Sequence, residues 1–79
     1  MKFTYKEEKE YAEIDDVIEG IENSIADTEG KINSCSSDYA SLQKYLSEKE
    51  ELQKLLDEKM DRWAYLNELA ERIENQREN

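Results

Sequence analysis

The sequence predicts an all-α chain, a two-helix antiparallel coiled-coil hairpin whose second helix is the longer and whose N-terminal segment packs on that helix's free end. Three observations carry this. Tyr11, Ile14, Ile18, Ile21, Ile25, Thr28 and Ile32 recur at steps of three and four, the spacing of a coiled-coil seam. A second run with the same rhythm follows a serine-rich break at residues 33–38. The chain has no proline and only 2 glycines, so little forces its backbone out of a helix.

Residues 1–4 form the lead-in. Thr4 followed by Glu7 fits a capping box, in which the threonine oxygen accepts from the third helical amide and the glutamate reaches back to the cap amide. The first helix is therefore placed at 5–33. Gly20 and Gly30 each weaken it by about 1 kcal/mol relative to alanine. Gly30 could end it, but Ile32 keeps the heptad phase and Asn33 to Ser37 form the richer turn, so the helix is carried through. Residues 34–38 make the turn, with Ser36, Ser37 or Asp38 able to cap the second helix. That helix is placed at 39–76, roughly 57 Å long, and 77–79 form a frayed tail.

A short turn makes the helices antiparallel neighbours. Counting outward sets Ile32 against Leu42, Thr28 against Tyr45 and Leu46, Ile25 against Lys49, Ile21 against Leu52, Ile18 against Leu56, Ile14 against Lys59 and Met60, and Tyr11 against Trp63. Lys49 and Lys59 interrupt the second seam, where their stems cover apolar surface and their ammonium groups reach water. Leu66, Leu69, Ala70 and Ile73 then outrun the first helix, and Phe3 with Tyr5 are the large apolar groups placed to cover them. An aromatic cluster of Phe3, Tyr5, Tyr11 and Trp63 is expected there, with Trp63→Ala more damaging than any first-helix Ile→Ala.

No apolar run approaches the roughly 20 residues needed to cross a bilayer, and the N-terminus lacks a signal-peptide pattern, so the chain is expected to be cytoplasmic. Cys35 is the single cysteine and there is no histidine, which excludes an internal disulfide and the usual Cys/His zinc site. Nothing near Cys35 would lower its pKa, so it reads as a turn residue. A glycine-rich phosphate loop, a nucleophile with a histidine base and a calcium loop are likewise missing, and a thin hairpin offers no desolvated cleft. The domain is not expected to be an enzyme, and it needs no cofactor of its own.

The net charge is −10, and residues 5–34 carry ten acids against three lysines, so the second helix is the less acidic strand. Lys44, Lys49, Lys54 and Lys59 recur every five residues, but each step turns about 140° around the helix, so they form no stripe. They read as partners for the acidic first helix. Autonomous nucleic-acid binding needs a basic face. The nearest approach is a local patch of Lys54, Lys59, Arg62 and Arg72 beside the aromatic end. The tyrosines and Trp63 read as seam packing rather than base-stacking platforms.

The opening Lys2-Phe3-Thr4-Tyr5-Lys6-Glu7, the acidic isoleucine-rich first helix with Tyr11, the Ser37-Asp38-Tyr39 entry to the second helix, and Met60-Asp61-Arg62-Trp63 followed by Leu66 and Leu69 resemble one known domain. It is the C-terminal coiled-coil domain of ABC-F ATPases, especially the Uup-like branch, and the similarity spans essentially the whole chain. The resemblance implies a cytosolic parent protein with two ATP-binding cassettes, using ATP and Mg, and no membrane domain. It implies that this chain is non-catalytic and assists association with DNA or ribosomal RNA. The alternative is a protein–protein module without a nucleic-acid role, either a brace on the parent's own cassettes or a self-associating coiled coil. A monomer is expected for the isolated domain.

Overall fold

A computed structural model describes residues 2–35 and 38–77. Helix α1 spans Tyr5–Ser34 and helix α2 spans Tyr39–Arg77, packed as an antiparallel hairpin of 63 × 17 × 14 Å. Thr4 stands extended and closes both limbs of the capping box: the Glu7 amide donates to Thr4 Oγ1 at 3.2 Å, and the Thr4 amide donates to Glu7 Oε1 at 3.0 Å. The helix passes through Gly20 and Gly30 without a positive φ, so periodicity outweighs the local glycine cost. At its end the Cys35 amide donates to the Ile32 carbonyl at 3.2 Å.

Of the three capping candidates for α2, Asp38 fills the position: Oδ1 accepts from the Ser41 amide at 3.3 Å and Oδ2 from the Ser41 hydroxyl at 2.6 Å. Ser36 and Ser37 lie outside the described residues. The Ser41 hydroxyl, and then its amide, hold the Asp38 carboxyl below its ordinary pKa.

Ile14, Ile18, Ile21, Ile25 and Thr28 of α1 are buried, whereas α2 buries fully only Leu66. Thr28 is tolerated in the seam because its hydroxyl donates to the Ser24 carbonyl at 2.8 Å. On α2, Leu52, Leu56, Lys49 and Lys59 are half-buried, as expected for long side chains flanking a two-helix seam. Lys49 Nζ lies 3.8 Å from Glu29, and Lys31 sits 5.5 Å from the Tyr45 ring centroid. Glu29 is one turn beyond Ile25, so the counted register holds to within a turn.

Two aromatic expectations need correction. Trp63 is 37% exposed and Tyr5 82% exposed, while Leu66 is at 0%. The indole N–H of Trp63 donates across to Asp15 of α1 at 2.9 Å, so the ring keeps one edge at the surface where Leu66 is fully enclosed. Tyr5 opens α1 with its ring exposed to solvent, whereas Phe3 folds back. Phe3 packs against the Ile14–Ile18–Leu66 cluster and lies 5.1 Å from the Tyr11 ring, tilted 32°.

Candidate nucleic-acid interface

The four cations singled out from the sequence stand in different surroundings along α2. Lys54 and Arg72 stand in i, i+4 pairs with Glu50 at 3.9 Å and Glu68 at 2.7 Å, both well exposed. Arg62 crosses to α1, where its Nε donates to Glu10 Oε2 at 2.8 Å, and its guanidinium lies 4.7 Å from the centroid of the Tyr65 ring. The hydrogen bond to Glu10 raises the Arg62 pKa further and keeps the side chain charged. Tyr65 in turn donates its hydroxyl to Glu7 Oε2 at 3.0 Å. Glu7 thus belongs to both the cap and the interhelical contact. The Thr4 amide first, and then the Tyr65 hydroxyl, hold the Glu7 carboxyl below its ordinary pKa, and the same Tyr65 bond raises that of Tyr65.

Lys59 is different. It is half-buried and lines an open groove with Tyr5, Lys6, Lys9, Glu13 and Val17, over a floor that includes Ile14. None of Lys6, Lys9 and Lys59 forms an ion pair among the described residues. Glu10 also borders this groove, but Arg62 already engages it. One place on a chain of net charge −10 therefore carries a local excess of positive charge.

Lys6 and Lys9 escape sequence reasoning because register counting follows apolar residues alone. The pairs that occupy Lys54 and Arg72 are visible in the sequence as glutamates four residues upstream, the favourable order on a helix. Among the described residues no group of three or more His, Cys, Asp or Glu side chains gathers to hold a metal ion, and no helix is long and apolar enough to cross a membrane.

No curated protein and no solved structure matches the chain. The family described as ABC transporter C-terminal domain matches residues 2–68, from the lead-in through the Arg62-Trp63 step and Leu66. That span covers most of the chain and supports the resemblance carried by those residues, so the chain belongs to the ABC transporter C-terminal domain family.

Proposed function

We propose that this accessory domain assists nucleic-acid association by a cytoplasmic, ATP- and Mg-using ABC-F protein, with the groove of Tyr5, Lys6, Lys9 and Lys59 as its contact. The observation that carries the reading is the set of three lysines without ion-pair partners among the described residues, gathered on an otherwise acidic hairpin. A phosphate backbone gains most from cations that need not first leave a carboxylate. Tyr5, with its ring turned to solvent at the same groove, offers a face on which an unpaired base can stack. Arg62 engages Glu10 at the edge of the groove and offsets that carboxylate, while Lys54 and Arg72 would have to exchange Glu50 and Glu68 for phosphate. DNA and ribosomal RNA both present this chemistry.

Fluorescence anisotropy with single- and double-stranded oligonucleotides across a salt series tests the reading. Three phosphate contacts give a slope of log affinity against log salt of about −2.7 on the duplex and about −2.1 on the single strand. Lys6→Glu, Lys9→Glu and Lys59→Glu should each weaken binding and flatten the slope by about one. Absence of binding at low salt, or binding indifferent to all three, would defeat it.

The half-exposed Val17, Leu46, Leu55 and Met60 favour a second reading, a brace against the parent's own ATP-binding cassettes. Co-purification of the domain with the cassette portion, lost on Val17→Asp and insensitive to nuclease, would favour the brace.

A further inference from the structure

Glu48, Glu51, Leu55, Lys59 and Arg62 succeed one another on α2 at steps of three and four, so they share one flank of that helix. Charge reverses along it. Glu48 and Glu51 border a shallow groove with Leu52 and Leu55, whereas Lys59 borders the lysine groove and Arg62 bonds to Glu10 at its edge. Leu55 stands midway in sequence between Glu51 and Lys59, and also midway between Glu48 and Arg62. It is 39% exposed, and Val17 on the neighbouring stretch of α1 is 42% exposed.

An apolar residue with opposite charges at equal distances on its two sides is complementary to itself under a two-fold rotation. We propose that this flank is a reversible self-association surface, occupied by a second copy of the chain running antiparallel. A two-fold axis lying between the copies at Leu55 sets Lys59 against Glu51 of the second copy and Arg62 against its Glu48, and repeats both pairs by symmetry. Lys9 and Asp27 on α1 stand five turns apart at one angular position, with their midpoint beside Val17, so the same axis brings those two together as well.

Charge decides for a copy of this chain over an unrelated apolar partner, because both halves of the complementarity lie on one flank. The opposing term is the repulsion between two chains of net charge −10. At 0.15 M salt the screening length is about 8 Å, which damps that long-range repulsion while charges in contact across the axis remain coupled. The apolar content is small, so the pair belongs with weak, transient interfaces. Pairing covers Lys59 and thereby competes with phosphate for the groove, although it does not depend on the nucleic-acid reading.

Sedimentation equilibrium of the 79-residue chain at 0.15 M salt, up to about 1 mM and without nucleic acid, tests the pairing. The average mass should rise with concentration from 9.4 kDa toward twice that value. Lys59→Glu should weaken association by about tenfold or more, and adding Glu51→Lys to it should restore association, because the exchange rebuilds both pairs. Leu55→Asp should leave a helical monomer by circular dichroism, since Leu55 is outside the buried core. A mass of 9.4 kDa at every concentration, association indifferent to Leu55→Asp, or failure of the charge exchange to restore it would overturn the proposal. A chain that fails here can still bind an oligonucleotide, so the two readings fail separately.

Discussion

At the turn end, Ile25 and Thr28 are buried on α1, but Leu42, Tyr45 and Lys49 opposite them are half-buried and Leu46 is exposed. One ion pair at 3.8 Å crosses there. At the open end Leu66 is fully enclosed by Ile14, Ile18, Phe3 and Leu56, and three polar contacts of 2.8 to 3.0 Å cross between the helices. The difference stems from connectivity. A short turn already holds the helices together at one end, so side chains there need to offset little loop-closure entropy. No covalent link holds the other end, and the tightest packing gathers where the chain would otherwise splay.

The sharpest way to break this comparison is Leu66→Ala. Removing a fully buried leucine costs about 2–5 kcal/mol, a large share of what a domain this small has. Thermal melts should show a drop of about 8 °C or more, since each kcal/mol moves the midpoint about 4–8 °C in this size class. Trp63→Ala should cost less, because its ring is partly exposed and its one hydrogen bond, to Asp15, lies at the surface. Equal melts for the two variants would remove Leu66 from the centre of the fold.

Phe3→Ala comes next, at about 1–2 kcal/mol for a half-buried ring and its pairing with Tyr11. Its loss should be local as well as global. Amide exchange should accelerate in the first turns of α1 and in residues 66–73, while residues near Ile25 and Lys49 keep their rates. Uniform acceleration would mean that the two ends do not differ.

The contrast is legible in the sequence only in part. Isoleucines at unbroken steps of three and four on α1 admit one buried face, and the structure buries Ile14, Ile18, Ile21 and Ile25 on it. On α2 the same arithmetic places Trp63 in the seam, because periodicity reports direction and is blind to an indole N–H with an aspartate within reach. Proximity in sequence groups Tyr5 with Phe3, yet the cap at Thr4 separates a residue that folds back from one that starts the helix facing solvent. The groove of Lys6, Lys9 and Lys59 is hidden for another reason. It joins residues some fifty positions apart, and only the fold-back brings them to one place.

Thr4→Ala isolates the cap from the core. Losing the acceptor for the Glu7 amide should cost about 1 kcal/mol, read as a lower melting temperature with faster exchange confined to the first turn. Because Glu7 also holds Tyr65, the effect should extend to the Tyr65 hydroxyl, whose raised pKa should move back toward its ordinary value. A cap variant that leaves the Tyr65 titration unchanged would separate the capping box from the interhelical contact.

The smallest effect is the acid response of that junction. The carboxyl of Glu7 is held below its ordinary value of 4.5, so its contribution is complete at pH above that value and is lost as pH falls toward the lowered folded pKa. Tyr65 has the opposite sign: its raised pKa favours the folded state below its ordinary value of 10.0, and that gain disappears as pH rises through the folded pKa. Global stability alone would mislead, since protonating other carboxylates of a chain at −10 relieves repulsion and pulls the other way. The comparison with Glu7→Gln cancels that background. The variant should be the less stable at pH 7, and the two melting curves should converge in acid as the wild-type carboxyl protonates. A gap that stays unchanged however far the pH is taken below 4.5 would mean that the charge on Glu7 adds nothing to its bonds with Thr4 and Tyr65.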